Sequence, residues 1–331
     1  MSRKLLSYTT IGLILGSTAI ADVPKVAVDI APVHSLVARV MDGVGSPKLV
    51  IPAGASPHEY SLRPSEAKSL QDADMIIWIG EDLAPWMENS IETLSKNAEV
   101  ITLLKESETK LLEFREGALF EEHDHGDHDD HGDHDDHDDH DDHDKEHDDH
   151  DDHDDHDDHA HGEHDPHAWL SIENAQTWLN LVAGKLSAAD PDNAGVYFAN
   201  AAAAREEIND LVVEVNSILE PVRGRNFVVF HDAYQYFETS FNFPAAGAIS
   251  LGDATDPSAA RIAEIQGRVK DEGINCVLSE PQYNANLVAT VLSGTDAKTG
   301  VIDPLGLGLE PGPKLYGDLI RNMAKALAGC L

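Results

Sequence analysis

The chain has 331 residues and a formal net charge of −38 at pH 7. A balance this acidic argues against nucleic acid and anionic membranes as partners, because both carry negative charge themselves. Residues 121–164 hold 24 acidic side chains and one lysine, so most of the excess charge lies in one acidic block, and the remaining chain has an ordinary composition.

The N-terminus has the three parts of a secretory signal. Arg3 and Lys4 precede the apolar run IGLILGSTAI, and the small-x-small sequence Ala-Ile-Ala ends at residue 21. This order predicts a signal peptide over 1–21 that is removed on export. The apolar run is too short to span a bilayer, and no cysteine near the cleavage point offers a site for a lipid. We therefore expect a periplasmic protein that does not insert into the membrane.

Short apolar runs alternate with amphipathic stretches in both halves of the remaining chain. The first half contains predicted strands at 26–30, 48–51, 75–80 and 99–103, and predicted helices near 34–42, 64–72, 83–95 and 171–188. The second half contains predicted strands at 226–231, 245–250, 276–280 and 300–303, and predicted helices near 232–241, 258–272, 284–293 and 314–328. Apolar strands that alternate with helices predict an α/β fold with parallel sheets covered on both faces.

The segment 191–221 predicts one long helix between the two halves. It opens with Pro191 and Asp192, which suit the start of a helix, and it closes at a proline. Such a helix would be roughly 40 Å long; two shorter helices with a break are the alternative. The predicted domains are a first lobe over 22–190, this linking helix, and a second lobe over 222–331.

The acidic block repeats one histidine and two aspartates at a period of three. It has almost no apolar surface to bury, which predicts a disordered insert within the first lobe. Because its histidines are equivalent to one another, we expect several weak and exchangeable metal sites and a role as a metal-collecting or metal-sensing arm. The histidines of this repeat are His134, His137, His140, His143, His147, His150, His153, His156 and His159.

Only four of the 19 histidines lie outside the acidic block: His34, His58, His167 and His231. His58 follows the second predicted strand, and His231 ends the first strand of the second lobe. Ligands of open parallel sheets bind beyond the carboxyl ends of the strands, and His167, at the far end of the acidic block, can reach the same place. Three imidazoles predict a tetrahedral zinc site, whereas more carboxylate would favour manganese. The alternative for each is a structural histidine. We expect His34 to be a histidine at the start of a helix, with a peripheral place at the site as its alternative.

Two acidic residues are candidates for a fourth ligand. Asp303 ends the last predicted strand, and we rank it first; water is the close alternative. Glu280 ends the neighbouring strand, where it could ligate or could hold a ligating histidine through the second ring nitrogen.

The two cysteines of the chain are Cys276 and Cys330. Export makes a disulfide feasible, and closing a loop of about 54 residues would contribute roughly 4 kcal/mol. Two unpaired buried thiols are the alternative. A metal site on this pair is disfavoured, because no further cysteine is available.

Five segments in chain order resemble the solute-binding component of bacterial zinc ABC transporters, the ZnuA family. They are SPHEYSLRPSEAKSLQDADMIIWIG, DPHAWLS, FVVFHDAYQYFE, CVLSEPQY and VIDPLG, and an acidic histidine-rich insert before the second histidine is also typical. The resemblance runs across essentially the whole mature chain. It implies two lobes of four-stranded parallel sheet flanked by helices, joined by a long rigid helix, with the metal in the cleft. It also implies a disulfide between Cys276 and Cys330.

Carried over residue by residue, His58, His167 and His231 match the histidine ligands of the family. Some relatives have a glutamate before the first histidine, where this chain has Pro57, which has no side-chain donor. Manganese-binding relatives replace one histidine with a carboxylate, so three retained histidines support zinc. Related proteins use the aspartate equivalent to Asp303, which leaves Asp303 and water both open.

The leading hypothesis is capture of free Zn²⁺ in the periplasm and delivery to the membrane permease of an ABC transporter. We expect a monomer without enzymatic activity, cofactor or bound nucleic acid. One alternative is a secreted zinc hydrolase, because three histidines and a water also catalyse, although HExxH is absent and Glu280 is the only fair candidate for a base. Another is a metal buffer or adhesin that acts through the histidine repeat.

Overall fold

Two wholly parallel sheets, one in each half of the chain, organise the fold. The structure is a computed structural model, and it describes residues 23–115, 164–250, 258–271, 273–282 and 285–331. The predicted signal peptide and all of the acidic block except His164 lie outside the described residues.

The first sheet has the strand order β2-β1-β3-β4. Its strands are β1 (Val26–Val28), β2 (Lys48–Leu49), β3 (Met75–Trp78) and β4 (Glu99–Thr102), and the helices of this lobe are α1 (Ala31–Val40), α2 (Pro64–Gln71), α3 (Pro85–Leu94) and α4 (Ile172–Ala189). The central strands β1 and β3 are buried along their whole length, which is why their sequences are apolar throughout. Val28 pairs with both Leu49 and Ile77, so the carboxyl ends of these strands lie along one edge.

Local sequence signals explain where several helices begin. Proline is the first residue of α2 and α3, where its fixed φ suits the helix and its missing N–H costs nothing. The Glu66 carboxylate accepts a hydrogen bond from the Arg63 backbone N–H at 2.7 Å and so caps the start of α2. Ser171 caps α4 in a similar way, since its hydroxyl accepts from the Asn174 N–H.

One unbroken helix, α5 (Ala194–Leu219), joins the two lobes. Its 26 residues correspond to roughly 39 Å, and a short 3-10 turn flanks it at each end. The alternative of two helices with a break is therefore wrong. Among the described residues, no helix, α5 included, is both long and apolar enough to cross a membrane.

The second sheet repeats the arrangement, with the strand order β6-β5-β7-β8. Its strands are β5 (Phe227–His231), β6 (Gly247–Ser250), β7 (Cys276–Ser279) and β8 (Lys298–Val301), and its helices are α6 (Gln235–Phe241), α7 (Ala259–Asp271), α8 (Ala285–Leu292) and α9 (Leu315–Cys330). β8 begins and ends two residues before the predicted segment 300–303. It is an exposed edge strand, so the apolar residues Val301 and Ile302, on which the predicted limits depended, do not mark its limits.

A single apolar cluster continues from the first sheet through the helices into the second lobe. It includes Ile77 of β3, Trp178 of α4, Leu211 of α5, Phe237 of α6 and Met323 of α9. Because α5 packs against α1, α4 and α9, opening the lobes as rigid bodies would expose part of this core to water. The predicted fold of two parallel-sheet lobes joined by a long helix is confirmed.

The disulfide between Cys276 and Cys330 is present, with a Cα–Cα distance of 5.7 Å. It ties the first residue of β7 to the last residue of α9 and so fastens the C-terminus to the second sheet. Gly300 of β8 lies against this bridge, because a Cβ atom on it would stand 3.1 Å from the Cβ of Cys330.

Asp29 is a buried carboxyl group in the middle of the first lobe. It follows β1 and accepts hydrogen bonds from the backbone N–H groups of Ile30 and Ile79, both at 2.7 Å. These contacts tie together the carboxyl ends of the two central strands. Burial raises the pKa of Asp29 to about 7, although the backbone hydrogen bonds act in the opposite direction.

Because of Asp29, the free energy of unfolding should fall measurably as pH rises. Its pKa in the unfolded chain is about 3.9, so between about pH 4 and pH 7 the folded state holds a proton that the unfolded state lacks, and the free energy of unfolding falls with rising pH. From pH 5 to pH 7.5 the wild type should lose roughly 2 kcal/mol relative to Asp29→Asn. Urea unfolding of both proteins at the two pH values, with metal chelated, measures this difference. A difference that stays constant would contradict the prediction.

Candidate metal site

The cleft between the lobes lies at the carboxyl ends of both sheets. His231 is the last residue of β5, and Glu280 is the first residue after its neighbour β7. The strand order of the second sheet reverses between β5 and β7, which is where ligands of open parallel sheets bind. From the first lobe, His58 follows β2 at some distance along the chain, and His167 immediately precedes a 3-10 turn and α4.

His167 and His231 meet across the cleft, with 3.4 Å between their Nε2 atoms. A carboxylate holds the other ring nitrogen of each: Asp165 Oδ1 lies 2.7 Å from His167 Nδ1, and Glu280 Oε1 lies 2.6 Å from His231 Nδ1. When Nδ1 donates its proton to a carboxylate, the neutral ring carries its lone pair on Nε2. Two lone pairs that face each other at this distance repel unless a proton or a cation lies between them.

The separation of these nitrogens suits a metal ion. Zinc–imidazole bonds are about 2.0–2.1 Å long, so the edge of a tetrahedral site is about 3.3–3.4 Å. The observed distance of 3.4 Å between the Nε2 atoms of His167 and His231 matches that edge. Carboxylates on the outer nitrogens are also the usual support of ligating histidines, since they fix the tautomer and the ring orientation.

His58 stands close to this pair on a loop without regular structure. Its ring centroid is 5.6 Å from that of His167. Trp86 of α3 holds the loop by donating from Nε1 to the Pro57 carbonyl at 2.8 Å. In the ranges that the structure describes, no three histidine, cysteine, aspartate or glutamate side chains meet as a complete metal site. Two of the predicted ligands are therefore paired, and the third is adjacent.

The three histidines line one small cavity of about 20 Å³, which is room for about one water-sized species. The other lining residues are Ser56, Pro57, Trp169, Glu280, Gln282, Pro304 and Leu305. Trp169 packs beside His167, with ring centroids 5.2 Å apart, and donates from Nε1 to the Pro304 carbonyl of the second lobe.

Asp303 lies two residues after β8 and directly before Pro304, which lines the cavity. Its Oδ1 accepts from the backbone N–H groups of Leu305 and Gly306, at 3.0 and 2.9 Å, and its Oδ2 accepts from that of Leu307. Both carboxylate oxygens therefore organise the loop that places Leu305 against the cavity.

His34 lies away from the cavity. It is buried in the first turn of α1, and its Nε2 lies 3.2 Å from the Pro47 carbonyl oxygen. Burial lowers its pKa, which agrees with a structural histidine.

Two supporting residues were not found from the sequence. Asp165, which holds His167, stands only two positions before it, so its spacing was a usable signal. Arg115 pairs with Asp232 and Glu238 beside His231. No local sequence pattern indicates a contact between residues so far apart in the chain. Burial raises the pKa of both Asp232 and Glu238 against the opposing influence of the Arg115 guanidinium.

The fold and the cleft define a two-lobe binding protein whose lobes are joined by one helix. The family described as "Zinc-uptake complex component A periplasmic" matches residues 26–330. The high-affinity zinc uptake system protein ZnuA of Paracoccus denitrificans is 49% identical over 321 residues, covering 96% of this chain and 95% of the relative. ZnuA of Brucella abortus (strain 2308) is 48% identical over 316 residues, with 96% and 94% covered.

A crystal structure of ZnuA has the same fold. Its TM-score is 0.70 at 20% identity, with 93% of this chain and 99% of that chain covered. The chain therefore belongs to the ZnuA family of periplasmic zinc-uptake components.

Glu280 should matter for metal affinity although its contact is with His231 Nδ1. Glu280→Ala removes the acceptor that orients the ring, and loss of such a support lowers metal affinity about 10- to 100-fold. Glu280→Gln should lose less, because the amide oxygen still accepts the Nδ1 proton. Competition against a chromophoric chelator measures both affinities. Equal affinities for the wild type and Glu280→Ala would show that this contact does not support the site.

Proposed function

We propose that this protein captures Zn²⁺ in the periplasm and delivers it to the membrane permease of an ABC transporter. The observation that carries the proposal is the His167–His231 pair, whose Nε2 atoms face each other at 3.4 Å while carboxylates hold both outer nitrogens. A cation that prefers nitrogen ligands stabilises this arrangement, and zinc is such a cation. The names of the relatives support the same role.

In this proposal His58, His167 and His231 are the protein ligands. His58 completes the set by a small shift of its loop, because it already borders the same cavity. Water occupies the fourth position. Both candidate carboxylates already accept hydrogen bonds, Glu280 from His231 and Asp303 from three backbone N–H groups, which favours water over either of them.

Delivery of the ion requires a release step, and the structure favours loops as its moving parts. The shared core and α5 resist separation of the lobes, whereas the segment that carries His58 lies outside helices and strands and is only partly buried. Movement of this loop removes one ligand without exposing the core. A ligand lost in this way weakens binding when the permease engages the protein.

A hydrolytic function finds less support. A zinc hydrolase needs a general base that reaches the metal-bound water. Glu280, the candidate base, hydrogen-bonds His231 instead. The protein is therefore proposed to act as a binding component without catalysis, and the nine repeat histidines are proposed to collect zinc weakly before it reaches the cleft.

Histidine substitutions in a chain that lacks the acidic block test this proposal. With residues 121–163 replaced by a short linker, the protein should bind one Zn²⁺ tightly, and His58→Ala should weaken that site by about 2 kcal/mol or more through loss of one metal bond. His34→Gln, a change to a histidine outside the cleft, is the matched control and should keep the affinity. Calorimetric titration with a competing chelator gives both stoichiometry and affinity.

The full-length chain should bind additional ions weakly, and the block-deleted chain should not. Unchanged affinity in His58→Ala would remove His58 from the ligand set. Loss of nearly all binding on deletion of the block would instead favour a metal buffer that acts through the repeat.

A further inference from the structure

Arg115 joins the base of the acidic insert to the second lobe. It is the last described residue before the insert, and its guanidinium contacts two buried carboxylates, Asp232 and Glu238. Arg115 Nε lies 3.1 and 3.0 Å from the two oxygens of Asp232, and Nη2 also donates to that carboxylate. Nη1 and Nη2 donate to the two oxygens of Glu238 at 2.9 and 3.0 Å. The planar guanidinium thus grips two carboxylates at once, which a lysine cannot do.

The two carboxylates belong to the segment that carries His231. Asp232 is the next residue in the chain, and the Ala233 N–H donates to the His231 carbonyl at 2.9 Å in the turn between β5 and α6. Glu238 lies in α6, where its Oε2 also accepts from the Ala245 backbone N–H at 3.0 Å. Arg115 therefore fixes the turn that follows β5 with respect to the first lobe.

The other end of the insert leads into the segment that carries His167, and this segment also contacts α6. His164 forms an antiparallel bridge with Glu113, and the Asp165 N–H donates to the Leu112 carbonyl at 2.9 Å. Tyr236 of α6 joins both strands of this base: its hydroxyl donates to the Asp165 carbonyl and accepts from the Leu112 N–H, each at 2.9 Å. Asp165 in turn holds the His167 ring.

The contacts around Arg115 and Tyr236 form a cross-lobe clamp. On one side it includes Asp165, which orients His167, and on the other side it includes Asp232, which adjoins His231. We propose that Arg115 is a positioning residue that sets the distance between the His167 and His231 ring nitrogens and thereby the zinc affinity of the cleft. The proposal rests on the proposed function, since it assigns a role at the same site.

Charge alone would give Arg115 the opposite effect. A positive charge near the cleft repels a bound dication, so its removal should tighten zinc binding if electrostatics dominated. Within the clamp, however, one guanidinium faces two carboxylates, so its charge is locally compensated. Removal would break the hydrogen bonds that tie Asp232 and Glu238 to the first lobe, and the turn that carries His231 would no longer be held in place relative to His167. Positioning therefore predicts weaker binding.

Full-length Arg115→Met and Arg115→Lys test the proposal against a matched control. Arg321→Met removes an arginine that likewise bridges two carboxylates, Glu214 and Asp318, each at 2.7 Å, on α5 and α9. The first equivalent of Zn²⁺ should bind about tenfold more weakly to Arg115→Met than to the wild type. The zinc affinity of Arg115→Lys should lie between these two, because lysine keeps the charge but cannot contact both carboxylates in the same way. The affinity of Arg321→Met should match that of the wild type.

A spectroscopic readout separates positioning from a general loss of stability. With one equivalent of Co²⁺, the visible absorption bands report the ligand geometry, and we expect them to change in Arg115→Met and to stay unchanged in Arg321→Met. Unfolding midpoints measured with metal chelated show how much each substitution destabilises the fold. If Arg115→Met does not fold, Arg115→Lys and Glu238→Gln provide the same comparison.

The outcomes are distinguishable. Tighter binding in Arg115→Met would identify a purely electrostatic role, and unchanged affinity together with unchanged Co²⁺ bands would show no role; either result overturns the inference while leaving the proposed function intact. An equal loss of affinity in Arg321→Met would also overturn it, since the effect would then follow from destabilisation alone. Absence of tight zinc binding in the wild type would instead overturn the proposed function.

Discussion

The constraint on which the rest of the cleft depends is the approach of two imidazole nitrogens to 3.4 Å. Each ring is oriented by a carboxylate of its own lobe, Asp165 for His167 and Glu280 for His231. Without those carboxylates either ring could rotate so that its N–H pointed into the cleft, and the repulsion would disappear together with the site. The buried acids therefore orient both Nε2 atoms toward the place where a cation would bind.

Maintaining such an arrangement requires lobes that do not drift apart. The core continues through α4 and α5 into the second lobe, and several hydrogen bonds cross between the lobes near the cleft. Trp169 donates to the Pro304 carbonyl at 2.9 Å, and Tyr316 of α9 donates to the Trp169 carbonyl at 3.1 Å. The shared core and these hydrogen bonds oppose separation of the lobes, whereas His58 lies on a segment outside helices and strands that is only partly buried.

The sequence predicts the fold well because its main signals are local. Buried parallel strands such as β3 are apolar at every position, and proline or a capping side chain marks the start of α2, α3 and α4. The same logic predicts His231, since the end of a buried strand is fixed by the strand itself. The same logic predicts the position of Asp303 less well. β8 is an exposed edge strand that ends at Val301, so Asp303 lies in a turn and accepts hydrogen bonds from backbone N–H groups of that turn.

The supporting residues of the site were harder to predict because their contacts are distant in sequence. Arg115 reaches Asp232 over a separation of 117 residues, and Tyr236 reaches the Leu112 N–H over 124. Nothing in the sequence around Arg115 indicates a partner; it reads as one charge next to an acidic block. Its assignment depends on the three-dimensional placement of α6 against the base of the insert.

That placement bears on why an acidic insert can be tolerated beside a metal site. An insert of this charge attracts divalent cations over a Debye length, and if its ends moved freely its carboxylates and imidazoles could compete for the ion that the cleft must hold. Glu113 and His164 bridge at its base, Tyr236 fastens both strands of that base, and Arg115 anchors the near end to the second lobe. The described residues that flank the insert are therefore committed to contacts that orient His167 and His231.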